Sequence, residues 1–307
     1  MRTALVTGAS GFIGRHCLGP LADSGYEVHA VSRQTDGDKD GVRWHRADLL
    51  DSGEVRRVLA EVKPSTLLHL AWDVTPGRYA NSPTNLRWCQ ATLELSLAFA
   101  EHGGRRAVFA GTCFEYDPRF GYYTENLTPL CPGNLYGTVK DATHRIVTSL
   151  ARQAGFSVAW ARIFHLYGPY EPSARLAPTI IRGMLSGERV RLTHGRQVRD
   201  FLHVSDVAGA LVAVIQSSLE GPVNIGSGEP ITLRDFALAI ASRFDGEERL
   251  DFGAIESSPS DPPILVSNIA RLRSEVSWSP RIALSDGIDK TIEWWRETLR
   301  NEKGGRP

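Results

Sequence analysis

Thr3-Ala-Leu-Val-Thr-Gly8-Ala-Ser-Gly11-Phe-Ile-Gly14 is the stretch on which the reading of this chain turns. Leu5 and Val6 close a short apolar run of the kind a buried parallel strand uses, and three glycines follow three apart into a helical pattern. A backbone that turns from strand to helix this tightly uses glycine so that a diphosphate can approach without a Cβ in the way. The free N–H groups of the helix start then point at the anion. The stretch therefore reads as a nucleotide site. Its spacing is G-x-x-G-x-x-G rather than G-x-G-x-x-G, so a turn that only packs a helix on a sheet is the competing reading.

Working outward, Gly19 and Pro20 are expected to kink or shorten the first helix, over 12–24. The next strand, 27–31, runs into Ser32-Arg33. A carboxylate there would take the adenosine ribose hydroxyl of NAD, whereas a hydroxyl and a guanidinium suit the 2′-phosphate of NADP; the alternative is that Arg33 is a solvated loop residue. Asp48-Leu49 ends a third strand, over 42–45 and just beyond, where a loop can hold an adenine edge, and Asp51 caps a helix to about residue 62. A fourth strand, 66–71, leads through Leu70-Ala71-Trp72 into a Pro-, Gly-, Asn- and Ser-rich loop to residue 83. A long helix over 85–102 and a fifth strand over 106–111 follow. Strands and helices alternate throughout, which predicts an α/β fold with a Rossmann-type doubly wound parallel sheet.

Ligands of such sheets bind beyond the carboxyl ends of the strands, where Thr112 stands. Downstream, Tyr136 and Lys140 share one face of a helix reaching about residue 153. A phenol is a poor acid or base at neutral pH, and an ammonium beside it is expected to favour the phenolate and bring it toward the working range. A hydroxyl such as that of Thr112 can hold a carbonyl beside the phenol.

Composition bounds the class. With 42% hydrophobic and 23% charged residues the chain is an ordinary globular one, and zero formal net charge gives no field favouring nucleic acid or an anionic membrane. There is no run near the roughly 20 apolar residues of a membrane span and no signal-peptide pattern at residue 1, so a cytoplasmic protein is expected. Cys17, Cys89, Cys113 and Cys131 lack metal-ligand or disulfide spacing, so free thiols and no metal are expected.

The motifs together resemble those of the extended short-chain dehydrogenase/reductases, also called the NAD(P)-dependent epimerase/dehydratase family. They are Gly8-Ala-Ser-Gly-Phe-Ile-Gly14, Asp48-Leu49, His69-Leu-Ala71, Thr112 four before Tyr116, Tyr136-x-x-x-Lys140, Arg162-Ile-Phe-His-Leu-Tyr-Gly-Pro169, Arg199-Asp-Phe-Leu-His-Val-Ser-Asp206, Asn224-Ile-Gly226 and Trp278-Ser-Pro280. The resemblance implies a cofactor site at Gly8, Ser10, Gly11, Phe12, Ile13, Gly14, Ser32, Arg33, Asp48, Leu49, Leu70, Ala71, Tyr136 and Lys140. Tyr136 would be the acid/base, Lys140 would bind nicotinamide ribose, and Thr112 would orient a sugar oxygen. Trp72, Thr112, His165 and Arg199 would meet a nucleotide-diphosphate sugar. Arg199 would contact its diphosphate, unless it forms an ion pair with Asp200 or Asp206. His165 stands where many members have Asn, as a substrate donor or a core histidine.

Several positions depart from the family pattern. Cys113-Phe114 replace the Asp-Glu pair of the dehydratases, which disfavours dehydration. Ser258 precedes Pro259-Ser260-Asp261 where an arginine is usual, so one diphosphate cation is expected to be absent, and Trp88 replaces an Asn near the cofactor. Residues 1–170, with 199–226 returning, are expected to form the dinucleotide-binding domain, and 171–198 with 227–307 a smaller substrate lobe ending in a loose tail from 301. The resemblance also implies a homodimer through the helices at 85–102 and 134–153. The expected function is NADP(H)-dependent reduction of a nucleotide-linked keto sugar, a 4-keto-6-deoxy sugar, in deoxysugar biosynthesis. An NAD-dependent 4-epimerase and a non-catalytic NADP-binding sensor are the alternatives.

Overall fold

The computed structural model describes residues 2–34, 37–258 and 261–304. The first half comprises β1 (Arg2–Thr7), α1 (Gly14–Asp23), β2 (Tyr26–Ser32), β3 (Arg43–Arg46), α2 (Ser52–Val62), β4 (Thr66–His69), α3 (Thr84–Glu101), β5 (Arg106–Thr112), β6 (Tyr122–Tyr123) and α4 (Leu135–Ala154). Next come β7 (Ser157–Ile163), β8 (His165–Tyr167), α5 (Leu176–Ser186), β9 (Val190–Leu192), β10 (Val198–His203), α6 (Val204–Gln216) and β11 (Gly221–Ile225). The chain closes with β12 (Pro230–Thr232), α7 (Leu233–Ala241), β13 (Leu250–Phe252), β14 (Ile264–Ser267), α8 (Ala270–Glu275) and α9 (Leu284–Gly304).

Ala4, Leu5 and Val6 of β1 have no solvent exposure, as expected of a strand covered on both faces. β1 lies inside a parallel sheet of order β3-β2-β1-β4-β5-β7-β11, the doubly wound arrangement that the alternating pattern predicts. One apolar core joins the sheet to α1 and α6, through Cys17, Leu21, Val207 and Leu211. The other joins it to α2, α3 and α4, through Val58, Leu95, Phe99 and Val147. Strand order reverses between β1 and β4, and the register sets Thr7 beside His69 and Thr112 beside Ile163, so the carboxyl ends open together at the switch point.

A second sheet, β12-β10-β14-β6 with β8 alongside β10, and the pair β9 and β13 surround a third core built on α5, α7 and α9. β10 pairs within this second sheet, while α6 and β11 belong to the first.

Local chemistry explains most boundaries. Asp51 accepts from the Gly53 and Glu54 N–H groups and starts α2, and Gly155, at φ +78°, ends α4. The pair Gly19-Pro20 does not end α1, which runs from Gly14 through Pro20 to Asp23, held by Cys17, Leu18 and Leu21 against the core. Of the tail expected from 301, residues 301–304 instead continue α9, and 305–307 lie outside the described residues. No described helix is long and apolar enough to cross a membrane.

Candidate active site

The glycine turn is pressed against the end of β4. Gly8 stands at φ +68°, and a Cβ there would lie 2.8 Å from the Ala71 nitrogen, so both conformation and space require glycine. From this turn a cleft of about 510 Å³ runs past Leu70, Ala71 and Trp72 to Thr112, Tyr136 and Lys140. It then passes His165, Glu171 and Arg175 to Arg199 and Asp261. Gly11, Phe12, Ile13 and Gly14 line its near end.

Thr112 ends β5, and α4 presents Tyr136 and Lys140 one turn apart because the Asn134 side chain accepts from the Gly137 N–H at 2.9 Å and fixes the helix start. Three rings surround Tyr136: Tyr79 at 5.0 Å, Trp72 at 6.3 Å and Phe114 at 6.5 Å between centroids. This burial pushes the phenol's pKa up, Tyr79 adds to the rise, and a hydrogen bond with Thr112 partly opposes it. The Lys140 ammonium donates to the Ala110 carbonyl at 2.8 Å and lies 3.7 Å above the Trp72 ring, but 5.9 Å from the centre of the Tyr136 ring. Burial lowers Lys140 itself from 10.5 to about 7. The expectation that the ammonium holds the phenol down is therefore not met, since desolvation outweighs a charge that is itself weakened.

Arg199 is buried and donates to Asp261 at 2.6 Å, so its partner is neither Asp200 nor Asp206. Those two are committed elsewhere, Asp200 to Ser267 and Asp206 to the Arg281 and Ile282 N–H groups. His165 lines the cleft with Nδ1 unpartnered among the described residues, and burial, followed by Arg199 and Arg175, lowers its pKa to about 3, so it is neutral. Trp72 donates to Asn85 at 2.8 Å, and Asn85 in turn donates to the Tyr79 and Ser82 carbonyls, which pins the 73–83 loop beside Tyr136.

The remaining expected cofactor residues lie off this cleft. Ser10 and Ser32 share a 3.2 Å hydrogen bond, Arg33 is exposed at the end of β2, and Asp48 is exposed with Leu49 buried beneath it. Pro259 and Ser260 fall outside the described residues. Among the described residues there is no cluster of three or more His, Cys, Asp or Glu suited to a metal.

Comparison with known proteins follows the same residues. The sequence profile of the NAD dependent epimerase/dehydratase family matches residues 4–226. The chain belongs to this family. It is 27% identical to UDP-glucuronic acid decarboxylase 1 of Xenopus tropicalis, over 97% of this chain and 73% of the relative. To UDP-glucose 4-epimerase of Rhizobium leguminosarum bv. trifolii it is 26% identical, over 95% and 97%. Among solved structures, MoeE5 in complex with UDP-glucuronic acid and NAD superposes with a TM-score of 0.83 at 30% identity, covering 97% of this chain and all of that one.

As an epimerase/dehydratase family enzyme, the chain carries its own pattern behind Thr112. Cys113 and Phe114 line the cleft, and the next carboxylate, Glu115, has no exposure and turns inward. One Glu115 oxygen accepts from the Thr112 N–H and the Trp160 indole, both at 2.8 Å, and the other accepts from Arg162 Nε at 2.7 Å. Arg162 reaches the Tyr116 hydroxyl, which donates to Asn224 at 2.7 Å. Trp88 stacks behind Trp72 at 6.3 Å and does not line the cleft. Sequence reasoning missed Tyr79, Glu171 and Arg175. Arg175 stands at the start of α5, a helix whose first turn has no side-chain cap among the described residues, and it puts a second guanidinium in the cleft, beside that of Arg199, despite Ser258.

Proposed function

We propose that the protein is an NADP(H)-dependent reductase of a nucleotide-diphosphate keto sugar, a 4-keto-6-deoxy sugar of deoxysugar biosynthesis. The observation that supports this reading is the meeting of Thr112, Tyr136 and Lys140 on one cleft, with Glu115, the carboxylate that follows Thr112 in the chain, fully paired. A Thr-held phenol can hand its proton to a carbonyl oxygen as the carbon is reduced. Elimination of water would need a paired acid and base where Cys113 and Phe114 stand.

The glycine turn, with no room for a Cβ at Gly8, fits a dinucleotide diphosphate. When bound, the nicotinamide supplies the hydride. Ser10, Ser32 and Arg33 at the end of β2 suit a 2′-phosphate, which favours NADP over NAD. Arg199, Arg175 and the uncapped N–H groups of α5 suit the diphosphate of the sugar nucleotide, with Trp72 and His165 beside the sugar. On this reading 1–170 with 199–226 hold the dinucleotide, and 171–198 with 227–307 hold the substrate. Loss of reduced-nicotinamide absorbance on adding a nucleoside-diphosphate 4-keto-6-deoxyhexose tests it; no consumption of NADPH or NADH across such substrates overturns it.

The relatives favour a second reading, a UDP-sugar 4-epimerase with retained NAD, since the Rhizobium relative is a UDP-glucose 4-epimerase and MoeE5 is seen with NAD. That reading requires purified protein to carry NAD and to interconvert UDP-hexoses without added cofactor. Leu86, Leu97 and Ile146 leave large apolar side chains exposed on α3 and α4, which pack side by side, and this face suits a second copy of the chain in a cytoplasmic homodimer.

A further inference from the structure

Two buried side-chain polar atoms that line the cleft have no hydrogen-bond partner among the described residues: Nδ1 of His165 and Oε2 of Glu171. Glu171 is the more demanding case. Its residue is 7% exposed, and an unpaired carboxyl oxygen away from water carries a desolvation cost that native proteins rarely leave standing. Burial pushes its carboxyl up to about 8, against the Arg175 charge and a hydrogen bond from the Gly168 backbone.

The backbone that presents it is strained. Tyr170 has φ +69°, a region that bulky residues avoid and that persists only where the surroundings over-determine it. Those surroundings are visible on both sides. The Arg15 guanidinium lies 3.9 Å from the Tyr170 ring centre, Trp294 of α9 packs on the same ring at 4.7 Å, and His16 meets the Pro169 carbonyl at 3.2 Å. The elbow 168–171 is thus clamped between the helix that follows the glycine turn and the last helix of the chain.

We propose that this clamp exists to hold Glu171 against the ligand, where Oε2 pairs with a sugar hydroxyl. The inference rests on reading the cleft as a sugar-nucleotide and dinucleotide site. The hydroxyl belongs to the hexose of the substrate or to a ribose of the cofactor, and ligand binding without turnover separates the two. Isothermal titration of wild type, Glu171→Leu and Glu171→Gln with UDP, UDP-glucose and NADPH is the experiment.

Glu171→Leu removes a buried orphan and keeps an apolar side chain of similar size, so its Tm should rise while affinity for one ligand falls about tenfold. A loss confined to UDP-glucose, with UDP and NADPH unchanged, assigns the hexose; a loss confined to NADPH assigns the cofactor ribose. Glu171→Gln, which can still donate and accept, should stay within about threefold of wild type. Unchanged affinities for all three ligands in Glu171→Leu, or a lost thermal transition in that variant, give the carboxyl a structural role and overturn the proposal. Failure of every keto-sugar nucleotide to oxidise NADPH would sink the reductase reading while leaving these binding comparisons intact.

Discussion

Glu115 and Glu171 are both buried carboxylates close to the same cleft, and they are treated in opposite ways. Behind β5, both oxygens of Glu115 are paired, with Thr112, Trp160 and Arg162. On the cleft wall, one oxygen of Glu171 has no partner among the described residues, and the residue that carries it follows a strained one. Lys140 and His165 fall on the same side as Glu171, with pKa values pulled far from their ordinary ranges by burial. Unpaired buried atoms also occur away from the cleft, at His144 and Asp200 for example, so the contrast is one between these two carboxylates: Glu115 is built into the framework, and Glu171 faces the space a ligand would fill.

The largest effect that bears on this division lies at Tyr136. Tyr136→Phe should lower kcat by about 10²–10⁴, the usual worth of a positioned acid or base, and leave the thermal transition and NADPH affinity near wild type. Wild-type turnover in that variant would remove the phenol from the chemistry. Next comes Glu115. Glu115→Ala strands the Arg162 guanidinium, which is 1% exposed, and should cost about 3–5 kcal/mol in urea unfolding. If Glu115→Ala unfolds no more easily than Glu171→Leu, the division between framework and ligand side collapses.

How much of this was legible in the sequence follows the same line. The sheet was legible because strand and helix periods alternate and because the glycine spacing, Asp51 and Asn134 act locally. That Thr112, Tyr136 and Lys140 come together was legible from the end of the fifth strand and from the four-residue spacing of Tyr136 and Lys140. Glu115 carried only a local signal, the Thr112-x-x-Glu115 capping box, because the rest of its role depends on Trp160 and Arg162, more than forty residues away in sequence. Arg175 was hidden for a similar reason: it opens a helix from the second half of the chain, and only the docking of α5 brings it to the cleft. The pKa of Tyr136 was misjudged because a sequence shows neighbouring charges but not the three rings that exclude water. Pro20 reads as a breaker, yet tertiary packing carries α1 through it.

A moderate effect sits at Lys140. The unfolded chain keeps this proton to about pH 10.5 and the folded one only to about 7, so the unfolded state binds more protons between those values. Wild-type stability should therefore climb as pH rises through that window, and the burial penalty should be full below it. Lys140→Met lacks the titration. Its Tm relative to wild type should be most favourable at pH 7 or below and should decline toward pH 10, while catalysis is lost. A pH-independent difference between the two proteins would show that Lys140 is not desolvated as the cleft geometry requires.

The smallest effect is expected at Arg33, which is exposed and, on the proposed NADP reading, would act in cofactor choice rather than chemistry. Its charge also acts weakly on Asp73, whose carboxyl is held below the usual range first by the Thr75 hydrogen bonds, then by Arg78 and last by Arg33. An exposed ion pair is worth roughly 0.2–1 kcal/mol, so Arg33→Ala should narrow the preference for NADPH over NADH by only about twofold to fivefold. Ser32→Asp is the sharper probe, because a carboxylate at the end of β2 repels a 2′-phosphate and can accept from a free ribose hydroxyl. It should move the ratio of Kd values for NADPH and NADH further than Arg33→Ala does, and in the same direction. If both substitutions leave that ratio unchanged, the end of β2 does not read the ribose, and the balance shifts to the epimerase reading with retained NAD.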